Sequence, residues 1–132
     1  MTDPTQPVTA PLRVLVVDPD DRIRESLARL LPIGGRCLVV GAEGQPESAL
    51  ALAESIRPDI VMLDSHLAED CAGQDLIASL RAVAPGVRVV VLSLADTTEP
   101  PELSGADAYI RKTFRPHELI DAVLNAERTP AT

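Results

Sequence analysis

Five short apolar segments, each followed by a stretch without strand character, constrain the fold of this 132-residue chain more than any other feature. The segments are nearly continuous in apolar residues and rich in valine, as is typical of strands covered on both faces. They are LRVLVV at 12–17, CLVVGA at 37–42, DIVML at 59–63, VRVVVL at 87–92 and DAYI at 107–110. Strands that alternate with helices pair in parallel through right-handed crossovers. The sequence therefore predicts an α/β fold: a doubly wound, five-stranded parallel sheet in a three-layer α/β/α architecture.

Four of the segments that follow the strands have the i, i+3, i+4, i+7 apolar spacing of amphipathic helices. Their apolar stripes are Ile23, Leu27, Leu30 and Leu31; Ala49, Leu52, Ala53 and Ile56; Leu76, Ile77, Leu80 and Val83; and Leu119, Ile120, Val123 and Leu124. The segment between the fourth and fifth strands is different, because Pro100 and Pro101 exclude a regular helix through its middle. We therefore predict a weak fourth helix.

The length fits one domain, which we predict at residues 12–127, between flexible tails at 1–11 and 128–132. The first tail has three prolines and no apolar core of a signal peptide. No apolar run approaches the ~18 residues of a membrane span. The two cysteines, Cys37 and Cys71, form no CxxC pair and fit buried, reduced side chains. We expect a cytoplasmic protein without membrane contact.

Charge and aromatic content argue against a nucleic-acid-binding role. The net charge is −8, which repels phosphate backbones and anionic lipids. One Phe, one Tyr and no Trp leave few platforms for base stacking. No DNA-binding segment follows residue 127, so we expect this chain to make no direct contact with nucleic acid.

Polar residues follow four of the five predicted strands: Asp18, Asp64, Ser93 and Lys112. Ligands of an open parallel sheet bind outside the carboxyl ends of its strands. Two carboxylates, a hydroxyl and an ammonium at that edge suit phosphoryl transfer to a carboxylate, with a hard cation such as Mg²⁺ offsetting the charge. Each residue alone has an ordinary explanation as a helix cap, a turn former or a solvated charge. Four of them at four strand ends indicate a site.

Four motifs match one known family: VLVVDPDDRIRESL, PDIVMLDSHL, VVVLSLAD and GADAYIRKTFRPHEL. On these motifs, the chain resembles the receiver domain of a bacterial two-component response regulator over residues 12–127. The resemblance implies a flavodoxin-like fold with strand order 2-1-3-4-5 and a role in a phosphorelay. It implies no conventional enzyme activity beyond Mg²⁺-dependent self-phosphorylation and dephosphorylation. The implied partners are a sensor histidine kinase or phosphotransfer protein and a downstream protein effector.

The resemblance also assigns roles to the residues at the strand ends. It implies that Asp64 is the phosphoacceptor and that Ser93 and Lys112 contact the phosphoryl group. Ser93 and Tyr109 would form the conformational switch that passes the signal on.

The predicted metal site departs from the family pattern. By resemblance, Mg²⁺ would be bound by Asp18, Asp64 and the backbone carbonyl of His66. The family usually has a second, metal-binding acid directly after the first, but here that residue is Pro19, which has no carboxylate. Asp20 is either a substitute ligand or the N-cap of the first helix, and we favour the cap. We therefore predict Mg²⁺ as the cofactor, with weak binding because one ligand is missing.

Two further segments differ from the family. In the loop that follows the phosphoacceptor, the family commonly has Met-Pro and then a glycine eight residues beyond the aspartate. This chain has Leu67-Ala68, and Gly73 stands nine residues beyond Asp64, so one residue is inserted in this loop. Lys112 is followed by Thr113 instead of proline. We expect that peptide bond to be trans, because a cis bond without proline costs about 3 kcal/mol.

These departures leave a second function open, that of a degenerate pseudo-receiver acting as a phosphorylation-independent protein-interaction module. A cofactor-binding enzyme on the same fold has little support, because the loop after the first strand lacks a Gly/Ser/Thr-rich phosphate cradle. Homodimerisation through the last helix is a habit of the family. A homodimer therefore stays open for this chain, although the proline-broken fourth helix speaks against it.

Overall fold

The sheet predicted from the sequence is present with all five strands. A computed structural model of the protein describes residues 10–69, 71–93, 106–112 and 115–128. The strands are β1 Leu12–Val17, β2 Cys37–Glu43, β3 Ile60–Asp64, β4 Arg88–Ser93 and β5 Ala108–Arg111. Neighbouring strands are parallel, in the order β2-β1-β3-β4-β5. The predicted α/β class and the strand order 2-1-3-4-5 are confirmed.

The last three strands begin one residue later than predicted, and for two of them an aspartate at the start explains the shift. Asp59 Oδ2 accepts a hydrogen bond from the backbone N of Arg13 at 2.9 Å, and Asp107 Oδ2 accepts one from the backbone N of Val89 at 2.8 Å. Asp107 also forms an ion pair with Arg81 at 3.2 Å. The two aspartates therefore link neighbouring strands at their amino ends. At their carboxyl ends, β3 and β4 each include the polar residue that was predicted to follow the strand.

The helices are α1 Asp21–Leu30, α2 Pro46–Ile56, α3 Ser65–Glu69, α4 Cys71–Val83 and α5 Pro116–Arg128. The four predicted amphipathic helices are confirmed as α1, α2, α4 and α5. Helix α5 continues one residue past the predicted domain limit, because the next helix-breaking residue in the sequence is Pro130. The predicted weak fourth helix and Thr113 both lie outside the described residues. No helix in the described part of the chain is long and apolar enough to cross a membrane.

Helix α3 was not predicted, since the segment after the third strand was interpreted as a loop with one inserted residue. Its sequence, SHLAE, has no proline and contains three residues that favour helices. The chain therefore turns directly from β3 into a helix, and the first N–H groups of that helix lie beside the end of the strand.

Two apolar clusters cover the faces of the sheet, because alternate residues of each strand point to opposite faces. One cluster joins Leu15, Val17, Val61, Leu63, Val89 and Val91 to residues of α2 and α4. The other joins Val14, Val16, Ile60, Met62, Val90 and Leu92 to residues of α1 and α5. Burying each such side chain contributes roughly 1.5–3 kcal/mol. The three-layer architecture therefore holds the strand ends in fixed positions.

Candidate functional site

Three of the predicted site residues meet at the carboxyl edge of the sheet. Asp18 directly follows β1, Asp64 is the last residue of β3 and Lys112 directly follows β5. The Lys112 ammonium donates hydrogen bonds to Asp18 Oδ2 at 2.7 Å and to Asp64 Oδ1 at 2.6 Å. All three side chains are at most 4% exposed. One buried cation therefore bridges two buried carboxylates that would otherwise repel each other.

The remaining carboxylate oxygens are held by the backbone. Asp18 Oδ1 accepts a hydrogen bond from the N–H of Asp20 at 2.9 Å, and Asp64 Oδ2 accepts one from the N–H of His66 at 3.0 Å. In both cases the donor lies two residues after the aspartate, the geometry of an Asx turn. All four carboxylate oxygens thus have a hydrogen-bond donor, so the orientation of both side chains is fixed.

Ser93 and Tyr109 lie close to this cluster in the sheet. Ser93 is the buried last residue of β4, and its carbonyl oxygen accepts a hydrogen bond from the backbone N of Lys112 at 2.6 Å. Tyr109 is half-buried on β5 and packs against the apolar cluster on the α2–α4 side. The structure thus places both predicted switch residues on the two strands next to the site.

The two histidines are peripheral. The His66 side chain is 81% exposed at the rim of the site, with Nδ1 3.6 Å from Asp64 Oδ2. His117 is exposed in the first turn of α5. Neither histidine side chain is therefore part of the buried cluster.

Lys112 is the only lysine in the sequence, so its pKa can be measured on a single NMR signal. Burial alone would lower the pKa of the ammonium. The hydrogen bonds and charges of Asp18 and Asp64 outweigh that effect and raise the pKa above its ordinary value of 10.5. In protein made with isotope-labelled lysine, we expect one Cε resonance with a titration midpoint above 10.5.

The same shift predicts how stability depends on pH. Because the pKa of Lys112 is higher in the folded than in the unfolded chain, the bridge contributes fully to stability below pH 10.5. Its contribution is lost as the pH rises through the folded-state pKa. Urea unfolding across this alkaline range should show that loss, and a Cε midpoint at or below 10.5 would contradict it.

Asp20 caps the first helix, as the favoured interpretation predicted. Its Oδ1 accepts hydrogen bonds from the backbone N of Arg22 at 2.8 Å and of Ile23 at 3.4 Å. Its backbone is extended, as expected for an N-cap residue. This carboxylate therefore satisfies N–H groups that the first turn of α1 would otherwise leave without a partner.

The substitution Asp20→Ser separates capping from metal binding. Serine keeps an N-cap oxygen but has no carboxylate, so we expect stability and Mg²⁺ affinity close to those of the wild type. Asp20→Ala should lose about 1 kcal/mol of stability, also with unchanged Mg²⁺ affinity. Urea unfolding and metal titration measure the two quantities. A clear loss of Mg²⁺ affinity in Asp20→Ser would identify Asp20 as a ligand.

The carboxylate oxygens of the site are ligands of the type that Mg²⁺ prefers, but there are few of them. Within the described residues, no group of three or more His, Cys, Asp or Glu side chains lies close enough to hold a metal ion. Mg²⁺ is commonly bound by one or two carboxylates and keeps several waters, and Asp18 and Asp64 could serve in this way. The carbonyls of a helix point toward its C-terminal end, so the predicted role of the His66 carbonyl would require the first turn of α3 to open. That role stays a prediction.

Arg24 is a residue near the site that the sequence analysis missed. Its Nη1 donates a hydrogen bond to the backbone oxygen of Asp18 at 2.6 Å. Asp20, Asp21 and Arg24 occupy neighbouring positions at the start of one helix, and this spacing was the available signal. It could not show that an arginine side chain turns back onto the end of β1.

Comparison with known proteins agrees with this geometry. Residues 14–124 match the family model of the response regulator receiver domain. The chain is 29% identical over 119 residues to the nitrate/nitrite response regulator protein NarL of Escherichia coli K12, covering 88% of this chain and 55% of that protein. It is 36% identical over 129 residues to the transcriptional regulatory protein PdtaR of Mycobacterium tuberculosis, with coverages of 93% and 61%. The chain spans about half the length of the curated relatives it matches.

Solved structures of receiver domains superpose on this chain. The signal receiver domain of the response regulator NarL from Mycobacterium tuberculosis superposes with a TM-score of 0.77 at 28% identity, covering 92% of this chain and all of that one. The response regulator domain of Thermotoga maritima CheB superposes with a TM-score of 0.76 and covers 92% of this chain and 99% of its own, although its 22% identity supports the fold alone. The family match, the fold and the strand-end cluster agree, and the chain belongs to the response regulator receiver domains of two-component signalling.

Proposed function

We propose that this chain is a phosphorylatable receiver whose phosphoacceptor is Asp64. The observation that carries the proposal is the buried bridge in which Lys112 contacts both Asp64 and Asp18 at the ends of β1, β3 and β5. A lysine held against a carboxylate is already positioned to pair with the oxygens of a phosphoryl group on that carboxylate. No rearrangement of the sheet is needed for this contact.

In the proposed step, a carboxylate oxygen of Asp64 attacks the phosphorus of a phosphohistidine on a kinase or phosphotransfer protein. The new O–P bond makes an acyl phosphate, while the P–N bond breaks and the released imidazole nitrogen takes up a proton. Lys112 moves from the carboxylate to the phosphoryl oxygens, and the Ser93 hydroxyl donates to another of them. When bound by Asp18 and Asp64, Mg²⁺ would offset the negative charge that accumulates on the transferred group.

Phosphorylation would become a signal through the packing of β4 and β5. The new group adds negative charge beside Ser93 and draws Lys112 to a new partner, which biases the arrangement of these two strands. Tyr109 is half-buried three residues before Lys112 on β5, so its side chain is placed to follow that change. The proposed partners are a sensor histidine kinase or phosphotransfer protein in the cytoplasm and a downstream effector protein.

A second candidate function is the pseudo-receiver, favoured by two observations. Pro19 removes one acid from the metal site, and Lys112 already satisfies an oxygen of each remaining carboxylate. A site with this arrangement could hold its structure and bind a partner without ever being phosphorylated.

Intact-mass spectrometry after incubation with Mg²⁺ and acetyl phosphate tests the first function directly. We expect a mass increase of one phosphoryl group that is absent in Asp64→Asn. Asp59→Asn is the matched control, because it makes the same change at the opposite end of β3 and should keep the adduct. If neither acetyl phosphate nor a phosphorylated phosphotransfer protein gives an adduct, and titration detects no Mg²⁺ binding, the pseudo-receiver is the better description.

A further inference from the structure

We propose that Arg24 and Gly44 together form a clamp that positions the carboxylate of Asp18. Arg24 is a positioning residue in this proposal, since its guanidinium contacts the main chain of Asp18 and not the reacting atoms. The proposal rests on the proposed function for its consequence in metal binding, but the clamp itself can be measured without phosphorylation.

The Arg24 guanidinium joins the two ends of the β1–α1 connection. Nη1 donates to the backbone oxygen of Asp18 at 2.6 Å, and Nη2 pairs with the carboxylate of Asp21 at the start of α1. The Arg24 side chain is only 22% exposed, whereas that of Asp21 is 81% exposed. The arginine thus lies between the connection and the sheet rather than in solvent.

The main chain of Asp18 is held from both sides as a result. Its N–H donates to the backbone oxygen of Glu43 at 3.0 Å, which continues the β1–β2 pairing, and its carbonyl accepts from Arg24. The next residue, Pro19, has a fixed φ and no N–H to donate. With the N–H and the carbonyl of Asp18 both hydrogen-bonded, the Asp18 side chain is directed toward the N–H of Asp20 and the ammonium of Lys112.

Gly44 provides the space in which the guanidinium lies. A Cβ atom at position 44 would lie 2.6 Å from Nη1 of Arg24 and 3.5 Å from the backbone oxygen of Asp18. The first distance is too short for real atoms and the second is an ordinary contact. Gly44 is not among the glycines with positive φ, so alanine suits its backbone. The absence of a side chain at this position therefore serves Arg24 and not the local turn.

This arrangement makes a specific prediction about energetic coupling. Arg24→Ala removes the clamp, and Gly44→Ala pushes the guanidinium away from the Asp18 carbonyl while leaving the arginine in the chain. In either variant, the amide hydrogens of Asp18 and Asp20 should exchange about tenfold faster with solvent. Mg²⁺ affinity should also fall about tenfold, as is typical when a residue that supports a metal ligand is lost. In the Arg24→Ala background, Gly44→Ala should have no additional effect, because nothing remains for the new methyl group to displace.

The controls separate this clamp from general destabilisation. Arg22→Ala removes an exposed arginine two residues earlier on the same helix and should change neither quantity. The amide of Val89, bonded to Asp107 at the opposite end of the sheet, reports whether a variant loosens the whole domain. Arg24→Lys retains one donor for the Asp18 carbonyl and should recover part of the protection lost in Arg24→Ala.

The proposal and the proposed function can fail separately. Exchange rates of the Asp18 and Asp20 amides that stay within twofold of the wild type in Arg24→Ala would overturn the clamp. So would an additive effect of Gly44→Ala in the Arg24→Ala background. If the wild-type chain binds no Mg²⁺ and takes no phosphoryl group, the proposed function fails, and the exchange measurements alone decide on Arg24.

Discussion

Replacing Lys112 by methionine should lower the free energy of unfolding by about 3–5 kcal/mol at neutral pH, the usual effect of removing one partner from a buried ion pair. Methionine is close to lysine in length, so the loss comes from charge rather than from a cavity. Asp18 and Asp64 would be left buried as neighbouring carboxylates with no cation between them. Since a small domain has a total stability of about 5–15 kcal/mol, this loss would be a large part of the total. Urea unfolding monitored by circular dichroism measures the change.

A second substitution and the addition of Mg²⁺ test whether the lost stability comes from the Lys112 bridge. Neutralising a carboxylate in the same protein, as in Asp64→Asn with Lys112→Met, should restore part of the lost stability because the repulsion is removed. Millimolar Mg²⁺ should stabilise Lys112→Met more than the wild type, since a divalent cation could then occupy the place of the ammonium. A loss below about 1 kcal/mol in Lys112→Met would show that the ammonium is not a structural cation.

Replacing Pro19 by aspartate should lower the dissociation constant for Mg²⁺ by about tenfold or more, because the affinity of carboxylate sites rises with the number of charged ligands. Pro19 is exposed beside the buried Asp18, so a side chain there can be changed without disturbing the core. Without metal, the additional negative charge beside Asp18 and Asp64 should slightly destabilise the fold. Isothermal titration calorimetry and urea unfolding with and without Mg²⁺ measure the two effects.

Pro19→Asn is the matched control for this gain. Asparagine releases the proline ring and has the shape of aspartate but no charge, so its Mg²⁺ affinity should stay near that of the wild type. Equal affinities in Pro19→Asp and Pro19→Asn would show that position 19 does not supply a ligand. The weak metal binding predicted for the natural chain would then need a different explanation.

Sequence reasoning predicted those site residues that stand at the ends of strands. Asp18, Asp64 and Lys112 each stand at the end of an apolar run, and parallel strands bring their carboxyl ends to one edge whatever the details of packing. The cap at Asp20 was predictable for a related reason, because a short polar side chain before an amphipathic helix has few other roles. Such features need only local patterns and the direction of the strands.

Sequence reasoning missed Arg24 and helix α3. The role of Arg24 depends on a contact between distant segments, and helix α3 forms because its sequence contains no helix-breaking residue. Arg24 meets Gly44 only because β2 lies beside β1 in a register that includes an irregularity after Val14. No local pattern encodes that register. Helix α3 was missed because family resemblance suggested a loop, whereas nothing in SHLAE prevents a helix from starting at Ser65.

The aspartates at the amino ends of the strands bear on how such a protein could change during evolution. Asp59 and Asp107 fasten neighbouring strands at the edge opposite the charged cluster, so this part of the framework does not depend on the chemistry of the site. A position such as 19 can therefore lose its acid at little expense to the fold. The bridge is different, because losing Lys112 alone leaves two buried charges, while losing all three charged residues together leaves none. A lineage that abandons phosphorylation and then loses this cluster should therefore lose all three charged residues together rather than Lys112 alone.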